Sequence, residues 1–339
     1  MLGLSKTLRS VVIYNQCGTA LERRYATWIK PCDIDGLAAV GIDLLRIPTN
    51  YATWVERPGS QLYHGNQLEY LKNVTDYAIT KYGMHVVLDI HSLPGGVNGL
   101  DIGERVGAWS WFHNQTAFEY SLATIDRVLD FINQSGHSQH FTLEPVNEPT
   151  DNRDFSTFGT PATLSSKGSQ WVLKYYSAVM ERVHKSNPNL SVMLFDAFQG
   201  EQFWSPFFHE KQKIVFDIHR YYFARPSTPQ NVTAIMTSDG EKAAGDGKFP
   251  TFVGEWAIQT TTGNEYAKRR EVFRHGSETW KKYTRGSAYW NVKYSGNAPV
   301  DGEGTQAQWM GRSVQFGQVR IRWNESVIKL RLATLFSNK

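Results

Sequence analysis

Seven short apolar runs recur along this chain, each followed by a polar loop and, for several, by a stretch with helical spacing. They are Ile42–Ile47, Met84–Ile90, Phe141–Val146, Val192–Phe195, Ile214–Ile218, Thr251–Val253 and Ser287–Trp290. The runs are nearly continuous rather than alternating, which is how strands read when helices cover both faces of a parallel sheet. Between them, Asn66 can cap a helix carrying Leu68, Leu71, Ala78 and Tyr82 and closed by Gly83. A second helix runs from about Thr116 through Phe118, Leu122, Ile125, Leu129 and Ile132 to Gly136, and a third covers about Ser165–Lys185, ending before Asn187-Pro188. Strands alternating with helices specify a parallel α/β fold. No Gly-x-Gly-x-x-Gly turn follows an early strand, which argues against a doubly wound sheet. The expectation is a (β/α)8 barrel with an atypical or missing first strand, because Val11–Tyr14 is the only candidate for an eighth.

At 339 residues, 41% hydrophobic and 13% aromatic, the chain can fill the core of one barrel domain. Residues 311–339 hold six basic residues and one acidic, Glu325, so 1–310 carries 30 basic and 31 acidic residues. The net charge of +4 therefore belongs to the tail, and neither nucleic acid nor a membrane is expected as a partner. We accordingly expect one catalytic domain over 1–310, an atypical basic tail over 311–339, and a monomer. No apolar run is long enough to span a bilayer, and the first sixteen residues lack the pattern of a signal peptide. Cys17 and Cys32 are compatible with one bridge or with two thiols. The Asn-x-Ser/Thr sequons include Asn73, Asn114, Asn133, Asn231 and Asn324 and matter only on the secretory route.

The C-terminal ends of barrel strands face the active site. Here those ends carry Arg46, Asp89-Ile90-His91, Asn147-Glu148-Pro149, His219-Arg220-Tyr221, Glu255-Trp256 and Trp290. Two carboxylates among them suffice for glycosidic bond hydrolysis, one protonating the leaving oxygen while the other attacks the anomeric carbon. That chemistry needs opposed ionisation: one carboxyl kept protonated until it donates, the other ionised. Arg46, His219 and Tyr221 are placed to favour an ionised carboxylate. The same residues also fit a structural reading: His91 and His219 as hydrogen-bonded core histidines, Arg46 in a buried ion pair, and Trp290 in the core. Asp89, two residues before its loop, reads as structural. Trp109, Trp111 and Phe112 lie in a Gly-rich loop and suit either an outer sugar platform or loop packing. There is no His-x-His pair, and neither a metal nor a cofactor is expected.

The stretches LLRIPTNY, VVLDIHSLPGGVNG, LEPVNEP, FDIHRYY and FVGEW, in that order, resemble glycoside hydrolase family 5. More particularly they are similar to the fungal exo-β-1,3-glucanases and the rutinosidase-type β-glucosidases. The resemblance covers roughly 17–307 and implies a retaining glycosidase with Glu148 as acid/base and Glu255 as nucleophile. It implies that Asn147 binds the hydroxyl beside the reacting carbon, and that Arg46 and Tyr221 hydrogen-bond the nucleophile. His91 and His219 would line the catalytic subsite and Trp290 would floor it. The substrate it implies is a β-glucan oligosaccharide, through exo-β-1,3-glucanase activity, with a rutinosidase acting on flavonoid glycosides as the alternative. A catalytically inactive carbohydrate-binding barrel is the alternative of another class. The family also implies an extracellular or cell-wall location. Neither 1–16 nor the segment after Gln306 resembles it, and translated non-coding sequence is the expectation for both ends.

Overall fold

A computed structural model describes residues 6–60, 62–294 and 296–310, with side chains from 17 onward. Among the described residues, seven strands lie in one sheet in sequential order. They are β1 (Leu44–Asn50), β2 (His85–Ser92), β3 (Phe141–Glu144), β4 (Ser191–Phe195), β5 (Ile214–Tyr221), β6 (Thr251–Ala257) and β7 (Ser287–Tyr289). A doubly wound sheet reverses its strand order part-way. A run of seven without reversal is the order of a singly wound α/β barrel. The helices are α1 (Lys6–Trp28), α2 (Pro31–Ala38), α3 (Gln67–Tyr82), α4 (Gln115–Gln134), α5 (Ser166–Ser186), α6 (Glu201–Trp204), α7 (Val232–Ala243), α8 (Arg269–Tyr283) and α9 (Gln306–Met310). By contacts the chain divides into two compact units, one built from residues up to Leu143 with Ser177–Leu190, the other from Glu144–Tyr176 with Ser191 onward.

The candidate first strand is corrected: Val11–Tyr14 lies inside α1. Its β-branched run is too short to break a stretch free of proline, and the helix ends only as Pro31 approaches, since a residue before proline disfavours helical backbone. The last turns of α1 are tied down by Glu22, whose Oε1 accepts from the Tyr63 hydroxyl and the Asn66 amide, each at 2.8 Å. Cys17 and Cys32 are exposed free thiols. The expected basic tail lies outside the described residues.

In the first unit β1 and β2 pair in parallel from Leu44↔His85 to Thr49↔Ile90. Helix α4 forms as its spacing demands, burying Phe118, Leu122, Ile125, Leu129 and Ile132, and Asn114 caps it by accepting from the Ala117 amide at 3.1 Å. Helix α3 departs from expectation. Its buried face is Gln67, Leu71, Thr75, Ala78 and Ile79, while Tyr82 is exposed. The Tyr82 hydroxyl, with Tyr77 and Lys81, reaches Asp35 of α2, so the ring serves as a tether rather than as core. Gly83, at φ 65°, closes the helix as expected.

In the second unit β4 to β7 are all parallel. Helices α7 and α8, which the spacing analysis did not single out, pack on β5 and β6 through Ile218, Met236, Val253, Val272 and Trp280. Trp256 is buried between Phe273, stacked at 5.5 Å, and Tyr289, edge-on at 5.0 Å. Strand β3 stops at Glu144 instead of Val146, because Pro145 has no amide proton to give the ladder. Strand β6 runs four residues past Val253. Within that extension Ile218↔Val253 is followed by His219↔Glu255, leaving Gly254 as the extra residue of a β-bulge.

Candidate active site

The second unit gathers Glu148, His219, Tyr221 and Glu255. Glu148 follows β3 in a loop whose Pro145 carbonyl is held by the buried Tyr175 hydroxyl at 3.0 Å. Its backbone is left-handed, with φ 45°. A non-glycine residue held there costs about 1–3 kcal/mol, a strain that clusters at functional sites. Asn147 beside it is fully buried. His219 stands on β5 with its ring 4.5 Å from Phe195. Its Nδ1 lies 2.8 Å from Glu148 Oε1 and 3.7 Å from Glu255 Oε2, and its Nε2 lies 3.1 Å from Asp217 Oδ2. The Tyr221 hydroxyl donates to Glu255 Oε2 at 2.6 Å.

An imidazole with a carboxylate at each nitrogen is a double donor. Burial pushes the His219 ring toward neutrality. The charges of Glu255 and Asp217, with hydrogen bonds to Asp217 and Glu148, overcome that and hold it well above the ordinary histidine range. The acids on both ring nitrogens therefore favour the doubly protonated, cationic form of His219. Oxygens of Glu148 and Glu255 and a nitrogen of His219 all lie within 4.8 Å of one another, as do donor atoms of Glu144, Asp217 and His219. Two His/acid groups thus converge where the sequence showed no His-x-His pair. Both share one histidine, and a metal there would have to displace its protons.

In the first unit Arg46 and His91 meet at Asp89. Arg46 Nη2 pairs with Asp89 Oδ2 at 3.1 Å, and His91 Nδ1 lies 2.6 Å from the same oxygen. Arg46 therefore has the buried ion pair that its structural reading called for. Asp89, read as structural, holds two candidate site residues at once. In the loop that follows, Trp111 is fully buried with its indole N–H on Ser121 Oγ at 3.0 Å, so that residue is packing rather than platform. Glu104 staples the loop, accepting from the Tyr51 hydroxyl at 2.8 Å and the Gly95 amide at 2.7 Å. Burial pushes that tyrosine up to about 12. Trp109 and Phe112 are half-buried, as is Trp290, which follows β7 in the second unit and whose amide donates to the Trp256 carbonyl at 2.9 Å.

Sequence reasoning missed Glu144, Asp196, Asp217 and Gly254. Asp196, buried after β4, accepts from the amides of Phe198 and Gly200 and so supports Ala197 and Phe198 in left-handed backbone. Burial raises its carboxyl pKa, against the pull of Arg220. Asp217 carried a readable signal, since residues two apart on a strand share a face and it stands two before His219. Gly254 carried none until its strand was paired.

The family model for cellulase (glycosyl hydrolase family 5) matches residues 14–296. The chain is 28% identical over 271 residues to a probable glucan 1,3-beta-glucosidase A of Neosartorya fischeri, a match covering 78% of this chain and 61% of that protein. The match thus spans about three fifths of that curated relative's length. Among solved structures it is similar to AoRut, with 53% identity and a TM-score of 0.87 over 89% of this chain and 84% of that one. It is also similar to the rutinosidase from Aspergillus niger, with 49% identity and a TM-score of 0.86 over 88% and 84%. The chain belongs to glycosyl hydrolase family 5, a family of retaining enzymes.

Proposed function

We propose that this protein is a retaining β-glycosidase of the rutinosidase type, releasing a disaccharide from flavonoid β-glycosides. The carrying observation is the approach of Glu148 and Glu255, whose nearest oxygens come within 4.8 Å against a single imidazole. Retaining enzymes hold their carboxyl groups about 5–5.5 Å apart, whereas inverting enzymes leave about 6.5–9.5 Å for a water. In the first step Glu255 attacks the anomeric carbon while Glu148 gives its proton to the departing aglycone oxygen. In the second, Glu148 takes a proton from water, which attacks the same carbon and frees Glu255. The Tyr221 hydroxyl bond keeps Glu255 ionised and aimed. Asn147 binds the neighbouring sugar hydroxyl, and Trp290 packs against the apolar face of the sugar.

The substrate choice rests on the relatives. Identity near 50% to the two solved structures, one of them named a rutinosidase, outweighs 28% to a glucan glucosidase. The exo-β-1,3-glucanase reading, foremost on the sequence, becomes the second. We also propose export from a fungal cell. No described helix is long and apolar enough to cross a membrane. The test incubates the protein with rutin and with laminarin in parallel, and with a 2-deoxy-2-fluoro β-glycoside bearing a dinitrophenyl leaving group. Rutinose from rutin and one adduct on Glu255 are expected. Glucose from laminarin with rutin untouched would select the glucanase reading. Laminarin binding without turnover or adduct would select a carbohydrate-binding protein.

A further inference from the structure

Resting on the glycosidase reading, we propose that Asp217 is a positioning residue, fixing the proton state of His219 and, through the bulge at Gly254, the direction of Glu255. Asp217 is fully buried on β5 and uses its two oxygens on two different strands. Oδ2 takes His219 Nε2 at 3.1 Å, and Oδ1 accepts the Gly254 amide at 2.5 Å. That amide belongs to the extra residue of the bulge, so Asp217 satisfies the N–H at the break in register. A Cβ on Gly254 would overlap the Asp217 carboxylate, so the residue before the candidate nucleophile must lack a side chain.

The consequence is a chain of donors with one direction. With Nε2–H committed to Asp217, Nδ1–H points at Glu148 Oε1, and the positive ring stands between that acid and Glu255. The charged and titratable groups around the ring are Glu144 from β3, Glu148 from the loop after it, Asp196 from the end of β4, Asp217 and Arg220 from β5, and Glu255 from β6. In the Asp217→Asn variant, an amide that keeps its oxygen on the Gly254 N–H turns its NH2 toward Nε2. The ring then becomes neutral, with Nε2 accepting and Nδ1–H still donating. Aspartate and cation vanish together, and the cation, in contact with Glu148, is the nearer loss.

The test is Asp217→Asn, read by the pH profile of kcat/KM on 4-nitrophenyl β-rutinoside and by 15N spectra of histidine-labelled protein. The two limbs of the profile report the essential base and the essential acid of the free enzyme. Both limbs should move to higher pH by about one unit, the effect of removing an opposite charge at contact distance. The His219 Nε2 resonance should change from a protonated to an unprotonated nitrogen at neutral pH. Gly254→Ala, which alters no titrating group, should move the limbs the same way by displacing the carboxylate. Lower kcat/KM with unmoved limbs in both variants would make Asp217 merely structural and overturn the proposal. So would an unmodified chain whose His219 loses a proton near pH 6.5, a measurement that requires no variant to fold. If the glycoside is not cleaved at all, the function reading fails while the 15N arm still decides the proton state.

Discussion

The tripeptide Asp-Ile-His occurs twice at strand ends, as Asp89-Ile90-His91 on β2 and Asp217-Ile218-His219 on β5. In both, the aspartate is fully buried and bonds the histidine two residues on, as the strand repeat dictates. The two then diverge. On β2 the register passes from Thr49↔Ile90 to Asn50↔Ser92, so the bulged residue is His91 itself, and it meets its aspartate through Nδ1. On β5 the bulge lies in the neighbouring strand at Gly254, and His219 meets its aspartate through Nε2. Asp89 answers to a guanidinium, Arg46, whereas Asp217 answers to a backbone amide and leaves the cation to the histidine. One local motif therefore yields an aspartate-centred ion pair in one unit and a histidine-centred one in the other. Which strand carries the bulge decides how each is built.

The largest expected difference between them is in stability. His219→Ala removes the cation from between Glu148, Asp217 and Glu255, and breaking so buried a pair costs about 3–5 kcal/mol. His91→Ala leaves Asp89 its arginine and should cost about 1 kcal/mol. Urea unfolding of the two variants checks this; equal losses would break the contrast.

The pH dependence should separate the units next, because one histidine of each is perturbed, in opposite senses. His219 is raised, so its contribution is complete below about pH 6.5 and disappears as pH climbs through its folded value. Burial lowers His85, at the start of β2, to about 3, so its contribution is complete above about 6.5 and is lost as pH falls toward 3. Each slope is at most about 1.4 kcal/mol per pH unit. Melting curves across pH should show His219→Gln flattening the alkaline side of the profile and His85→Gln the acid side. The reverse assignment would refute both readings.

Smallest is Thr49→Val on the strand facing the β2 bulge. The Thr49 hydroxyl donates to the Asp89 carbonyl at 3.0 Å and accepts the Trp54 indole N–H at 3.0 Å, so its removal should cost about 1 kcal/mol in urea unfolding. A loss as large as that of His219→Ala would mean that the first unit depends on its bulge as heavily as the second.

Much of this was legible in the residues. Each of the seven apolar runs overlaps a strand, because a strand buried on both faces has no periodicity to hide behind. The Val11–Tyr14 expectation failed because four β-branched and aromatic residues look alike in a strand and in a helix, and only the longer context of α1 decides. Helix α8 has a buried face of only Val272, Gly276, Thr279 and Trp280, too thinly apolar for spacing to announce it. Glu148, His219, Tyr221 and Glu255, which the structure brings together, stand out in the sequence because they are polar residues ending apolar runs. Asp217 sits inside such a run, and Gly254 matters only through a pairing between strands, which one chain read linearly does not contain.

That glycine also sets the phase of its strand. Side chains alternate, so the residue added at position 254 reverses the parity of everything after it. Glu255 thereby comes out on the side of His219, and Trp256 falls among Phe273, Trp280 and Tyr289. Drawing Gly254 into the ladder opposite His219 would exchange the two, steering a carboxylate into an aromatic core and an indole toward the acids. A frame of two residues, not only the identity of the nucleophile, is what a lineage of such chains must transmit intact.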